Sequence, residues 1–565
     1  MPYRSDRYVI SWYYLTLPFM VVRVEPDEPT RSETAVMTLN WDCPYPSSRS
    51  PLFARNIVST SQPLAAEAGL AILKAGGNAI DAAITTAITL TVVEPNMNGL
   101  GSDAFAIVWD GKNLHGLNAS GRSPQAWTPD RFREFEAMPQ LGWGAVTVPG
   151  AVSAWVELSS QFGRLPFEQL FEAAIHYAEQ GFQVGPKTGF FWQFAKTRYQ
   201  DFESFKKTFL PAGEAPSIGS IIRLPDHARS LRSIAQTRGS SFYEGELAEA
   251  IVADSDRYNG GFSVDDLSQH RCTWVGTISQ SLADYELHEI PPNGQGLMAL
   301  IALGIVERLD LNQYNIDSLD SVHYQIEATR IAYAEIERHL ADITHMLVRP
   351  KQLLDPQYLT RRAASIDETA NASPTTLGAS EDTVYLTTAD QTGLMVSMIQ
   401  SNYNGFGSGI VIPGTGISMQ NRGSGFTLEA GHPNQVDGGK RPYHTIIPGF
   451  VRHKDAAKGA AMSFGVMGGH MQAQGHLQMM LRIFLYNQNP QAASDAPRWY
   501  LREDGKVCLE RGFSKEVIDG LKKRGHDIIL DNPEYLFGGA QLIYKLEDGY
   551  CAGSDHRKEG QAVGF

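Results

Sequence analysis

At 565 residues, with charged residues at 19% and hydrophobic ones at 42%, the chain has material for about two to four average domains or for one large α/β unit, and its composition excludes a disordered or fibrous protein. A formal net charge of -14 argues against nucleic acid or anionic lipid as the main partner, because both repel an acidic surface. The four cysteines, Cys43, Cys272, Cys508 and Cys551, form no C-x-x-C pair. They read as ordinary thiols, with neither a zinc ribbon nor a disulfide scaffold expected.

Residues 1–52 read as a leader and linker before the fold proper. The apolar run "YVISWYYLTLPFMVV", residues 8–22, is short for a membrane span but has the length of a signal-peptide core. The "RVEPDEPTRSE" that follows offers no small-x-small cleavage site. A cytoplasmic location is the expectation, and secretion or anchoring through residues 8–22 is the alternative.

From Ile57 the texture changes. A short strand leads to Pro63 near a helix start, an Ala/Leu-rich helix stopped at Gly76-Gly77, and a second helix through Asp81 to Leu90. Both helices are apolar nearly all round and must be buried. "AFAIVWD" and "LHGLNAS" read as a β-hairpin ending in "GRSP". The middle, about Thr147 to Ala370, reads as mostly helical, with amphipathic stretches at 166–180 and 321–342, and as scaffold more than site. Residues 361–382 then lose periodicity and turn small and polar, the composition of an exposed, cuttable segment. After it come two strands around a turn ("TVYLTTAD", "LMVSMIQS"), a glycine-dense stretch, and "MSFGVMGGHMQAQGHLQMMLRIFLYN", a strand, a Gly-Gly corner and a helix.

The common chemical motifs are missing. "GFGSGIV" lacks the G-x-G-x-x-G spacing and a following helix, and no G-x-S-x-G elbow or phosphate loop occurs. His470 and His476 are six apart, not the i,i+3 or i,i+4 of a shared metal, so they read as polar or core histidines. Thr383, at the head of a strand behind a polar segment, is different. A threonine hydroxyl needs a base, and its own α-amine, if freed by cutting between Asp382 and Thr383, serves at neutral pH. The same hydroxyl can do the cutting by attacking the Asp382 carbonyl.

"DTVYLTTADQTG", "QSNYNGFGSG", "GKRPYHTIIP" and "GVMGGHMQAQGH", with "LAAEAGLAILKAGGNAIDAAI" and "NASGRSP" upstream, resemble the γ-glutamyltransferase family from about residue 55 to the end. The resemblance implies an N-terminal nucleophile hydrolase fold, an α/β (αββα) sandwich built jointly by two subunits of one self-cutting precursor, here 53–382 and 383–565. It implies Thr383 as nucleophile, Thr387 as a retained hydroxyl, Ser401 beside the nucleophile's amine, and Gly468 and Gly469 as an oxyanion hole. It implies Arg122 as the partner of the substrate's α-carboxylate, a planar anion suited to a guanidinium fork.

Departures from the family pattern cluster in the substrate pocket. Tyr403 stands where an asparagine is usual, Gly425 where an acidic residue meets the α-amine, Arg422 where an amide or carboxylate is usual, and His444 with Thr445 where a serine pair is usual. The pocket becomes more cationic and loses its amine acceptor. The expectation is a threonine hydrolase or transferase for γ-glutamyl amides such as glutathione, with water or an amino acid as acceptor and with no metal or organic cofactor. An acylase for glutaryl-type amides is the alternative within that chemistry, and a non-catalytic binding relative the alternative outside it.

Overall fold

Two seven-stranded antiparallel sheets lie face to face, with helices on both outer faces. The computed structural model describes residues 48–371 and 382–565, and residues from 48 onward belong to one compact unit. The expectations for residues 8–22, for the rest of the leader up to 47 and for residues 372–381 of the cuttable segment fall outside the described residues. Among the described residues no helix is long and apolar enough to cross a membrane.

The strands of the two sheets are, in chain order, β1 (Leu52–Ala54), β2 (Ile57–Thr60), β3 (Asp103–Trp109), β4 (Leu114–Asn118), β5 (Thr273–Trp274), β6 (Ile278–Leu282) and β7 (Tyr285–Glu289), then β8 (Asp382–Ala389), β9 (Met395–Tyr403), β10 (Gly449–His453), β11 (Ala460–Met467), β12 (Gly539–Leu546), β13 (Gly549–Ser554) and β14 (Gln561–Gly564). The first sheet runs β1-β13-β12-β11-β10-β7-β6 and the second β14-β2-β8-β9-β3-β4-β5. Both therefore contain strands from before and after residue 382.

Strand periodicity explains the layering, since alternate side chains leave opposite faces. On β3, Phe105, Ile107 and Trp109 enter the core between the sheets, with Tyr385, Phe450 and Ile543. Ala104, Ala106 and Val108 face outward and pack with α1 (Pro63–Lys74) and α2 (Ala79–Val93). The first sheet's outer face, including Val451, Met462 and Phe464, is covered by α3 (Gly296–Val306), α4 (Leu319–His339) and α5 (Met471–Met480).

Local chemistry fixes the ends of the first helices. Gln62 accepts from the N–H groups of Leu64 and Ala65 before Pro63 opens α1, and Gly76 at φ +95° follows its end. Asn78 and Asp81 form a reciprocal capping box on α2. The hairpin expected after α2 is β3–β4, and the strand–corner–helix is β11, Gly468-Gly469 and α5. The middle is mostly helical, as read, and it also supplies the short strands β5, β6 and β7. Those short strands are half-exposed and polar at several positions, so alternation was weak there.

Candidate active site

Thr383 is the second residue of β8, and its backbone is continuous with Asp382. It is 1% exposed. The β8–β9 ladder pairs Asp382 with Tyr403 but Val384 with Gln400, so β9 carries one extra residue opposite Thr383. Bulges of this kind re-aim side chains. Here Thr383 Oγ1 donates to Ser401 Oγ at 3.1 Å, and Ser401 Oγ also accepts from the Tyr403 N–H at 2.8 Å. Ser401 pairs in turn with Asp103 on β3, which places Thr383, Ser401 and Asp103 in a row across three strands.

Contacts between the sheets set what faces Thr383. Thr387 Oγ1 meets Ser463 Oγ at 2.6 Å, and Tyr385 lies against Gly465, where an added Cβ would be 2.4 Å from the ring. As β8 steps back from 387 to 385, β11 steps forward from 463 to 465. Continued by one more pair, this alternation points the head of β8 toward the end of β11, where the Gly468-Gly469 corner follows Met467. Those glycines hold φ of +129° and +56°, conformations that disfavour a side chain, and lie just before α5, where backbone N–H groups are not used within the helix.

Two side chains in this region escaped the sequence reading. Gln295 Nε2 donates to Gly469 O at 2.8 Å and to Thr445 O, while its Oε1 accepts from Tyr443 Oη at 3.0 Å. A polar amide flanked by Gly294 and Gly296 was the available signal. Asp103 is fully buried, accepts from the Gly121 N–H and meets His444 Nε2 at 3.1 Å. Burial pushes its carboxyl up to about 7, against the pull of Arg422, the backbone N–H groups and Arg441. Burial holds His444 well below its usual value, with Arg422 and Arg441 adding to the effect. A neutral His444 therefore donates from Nε2 to Asp103. An acid heading an otherwise apolar strand was its only sequence trace.

Arg422 is also fully buried. Its Nη1 donates to Thr445 Oγ1 at 2.8 Å, and its guanidinium carbon lies 4.2 Å from the centre of the Tyr403 ring. Burial lowers it to about 10, still a cation at neutral pH. Arg422, Tyr403, His444 and Thr445 thus come together as expected. Gly425 leaves no room for any side chain, since a Cβ there would lie 2.5 Å from Tyr443 O.

A cleft of about 1240 Å³ is lined on one side by Tyr403, Ser424, Gly425, Phe426, Tyr443 and His470, and on another by α4 residues including Arg330 and Glu335. The middle of the chain therefore supplies a wall of the cleft as well as scaffold. His470 Nδ1 meets Tyr443 Oη at 3.2 Å, and His476 Nδ1 meets Glu289 at 2.6 Å.

Arg122, with a side chain 45% exposed, gives Nη1 to Asp342 Oδ2 and Gly439 O, both at 3.0 Å, and like Thr383 and Arg422 it is not among the residues that line this cleft. Thr387 lies four residues from Thr383, about 13 Å along a strand, and its hydroxyl is engaged by Val396 O and Ser463.

The γ-glutamyltranspeptidase family model matches residues 65–565. The chain is 36% identical over 518 residues to the oxamate amidohydrolase proenzyme of Klebsiella pneumoniae subsp. pneumoniae, covering 89% of this chain and 97% of that one. It is 32% identical to a glutathione hydrolase-like proenzyme of Bacillus subtilis, across 92% of this chain and 100% of that one. A solved cephalosporin acylase from Bacillus halodurans matches with a TM-score of 0.89 at 45% identity, covering 94% of this chain and 99% of that one. The sandwich is that of an N-terminal nucleophile hydrolase, and the chain belongs to the γ-glutamyltranspeptidase family.

Proposed function

We propose that the chain cuts itself between Asp382 and Thr383, and that the pieces 53–382 and 383–565 stay together as an amide hydrolase with Thr383 as nucleophile. The observation that supports this reading is the Thr383 Oγ1–Ser401 Oγ hydrogen bond at the bulge, on a strand that meets β11, the strand before the Gly468-Gly469 corner, through Thr387 and Ser463. In the uncut chain the hydroxyl attacks the carbonyl carbon of Asp382. The peptide becomes an ester, and water hydrolyses it to an Asp382 carboxylate and a free Thr383 amine.

That amine then accepts the hydroxyl proton as Thr383 attacks a substrate amide, and passes it to the departing amine. The developing oxyanion meets the N–H groups of Gly468 and Gly469, donors fixed in place before charge appears. Water releases the acyl group, and transfer to an amino acid would use the same ester. Every step uses groups of the chain, substrate and water.

For the substrate, γ-glutamyl amides such as glutathione and amides of dicarboxylic acids share the needed acidic acyl group. The closed position at Gly425 and the cation at Arg422 favour the second class, because neither provides an acceptor for an α-ammonium. The relative named for oxamate, a small amide bearing a carboxylate, agrees with that preference.

Denaturing electrophoresis with terminal sequencing tests the reading. Wild-type protein should give two bands, the smaller beginning at Thr383, and Thr383→Ala a single band without amidase activity. An uncut wild-type chain that Thr383→Ala leaves unchanged would instead mark a non-catalytic binding relative.

A further inference from the structure

We propose that Arg422 receives the free carboxylate of the acyl substrate through the Nε–H and Nη2–H edge of its guanidinium, selecting monoamides of short dicarboxylic acids. The inference rests on the amide-hydrolase reading above and names its substrate class.

A guanidinium has two edges suited to a bidentate carboxylate, and here they differ. The Nη1 corner is held by Thr445 Oγ1 at 2.8 Å. Nε and Nη2 are buried and have no hydrogen-bond partner among the described residues. Buried donors in a native protein are normally paired, and those of a cation most of all. The open pair is adjacent and coplanar, the geometry that matches two carboxylate oxygens.

The surroundings agree with an anionic ligand. One face of the guanidinium is covered by Tyr403, which blocks stacking there and leaves the edge for contact. The acid nearest in effect to Arg422 is Asp103, whose carboxyl group hydrogen-bonds to His444 and Gly121 and makes no ion pair with Arg422 among the described residues. Tyr403 also lines the cleft, so its ring touches both the cleft and the guanidinium, and a ligand entering from the cleft requires that ring to move. The other arginine considered for this role, Arg122, already pairs with Asp342.

An α-ammonium beside the carboxylate adds nothing here. It would approach a buried cation, and the Cβ of any acidic side chain at 425 would collide with Tyr443 O. The carboxylate is required and the amine is not.

The test uses protein as purified, in wild-type, Arg422→Met, Arg422→Lys and Thr445→Val forms. Calorimetric binding of succinate and glutarate is measured alongside hydrolysis of glutaryl-, γ-glutamyl- and the uncharged valeryl-p-nitroanilide. Wild type should bind at least one diacid. Arg422→Met should weaken that binding and raise KM for the glutaryl substrate about tenfold or more, with Arg422→Lys intermediate because charge survives without the fork. The ratio of kcat/KM for glutaryl- over valeryl-anilide should fall by a similar factor. If Arg422→Met is insoluble, Arg422→Lys and Thr445→Val, which removes the acceptor aiming the guanidinium, must still weaken the diacid selectively.

The proposal is overturned if wild type binds neither diacid, if the variants lose charged and uncharged substrates equally, or if γ-glutamyl-anilide is preferred about tenfold over glutaryl-anilide. Arg422-dependent diacid binding with all three anilides inert would uphold this site and reject the hydrolase reading.

Discussion

Tyr403 holds a backbone φ of +81°, a conformation that costs a bulky residue about 1–3 kcal/mol. Its N–H donates to Ser401 Oγ and its ring covers the Arg422 cation, two contacts that offset the strain. One residue thereby ties the group beside Thr383 to the cation of the pocket. Behind it, Asp103 gives the pocket a measurable pH signature. Burial raises its folded-state value from the ordinary 3.8 to about 7, so the folded protein binds the proton more tightly than the unfolded chain does. Its contribution to stability is therefore full below pH 4 and lost as pH rises through 7. The groups facing it are His444, kept neutral by burial, and the cations Arg422 and Arg441. Asp103→Asn cannot titrate yet keeps an acceptor for the His444 Nε2–H. Relative to Asp103→Asn, wild type should lose about 2 kcal/mol of stability between pH 5 and pH 7, read as a shift in the difference between their denaturation midpoints. A pH-independent difference would show that Asp103 is already ionised at pH 5.

At the scale of elements, β8 carries the candidate nucleophile at one end and its register pin near the middle. Through Ser463, Thr387 locks β8 to β11, the strand that ends just before the Gly468-Gly469 corner. Thr387→Val keeps the shape but leaves buried Ser463 Oγ and Val396 O without that partner. We expect a loss of about 1–3 kcal/mol, seen as a lower thermal midpoint, together with slower self-cutting on a gel time course. KM of the cut fraction should stay near wild type. A fall in kcat/KM of about a hundredfold, or 2.7 kcal/mol of barrier, in fully cut protein would instead give Thr387 a part in the chemistry. The elements that the sequence disclosed were those with strong periodicity or punctuation: α1 and α2, stopped by glycine and opened by caps, and the β8–β9 pair around its turn. β5 to β7 stayed hidden because they are short and half-exposed. Arg422, His444 and Thr445 were visible as departures from a pattern, whereas Gln295 and Asp103 act through contacts with residues distant in the chain. No local pattern encodes that Gly425 abuts Tyr443 O or that Arg122 meets Asp342, since both are consequences of loop packing.

For the whole molecule, the proposed cut falls inside an interleaved fold. In the second sheet, β2 from the first piece lies between β14 and β8 from the second, while β3 of the first piece pairs with β9 of the second. In the first sheet, β1 pairs with β13 and β7 with β10, again across the pieces. Separating the pieces would break five ladders and open the core between the sheets, to which both contribute. Exposing that much apolar surface costs far more than one new pair of chain ends releases, at about 25 cal/mol per Å². Cutting should therefore leave the native mass near the 62.2 kDa of the uncut chain by light scattering, apart from whatever leader is lost, while the denatured sample shows two bands. Residues 383–565 produced alone lack β2 and β3, so β8 has no neighbour on one side and β9 none on the other. Unpaired edges of buried strands drive aggregation, and that piece should be insoluble unless it is made together with 53–382. Recovery of either piece as a stable, soluble monomer would contradict the shared-sheet account of the cut protein.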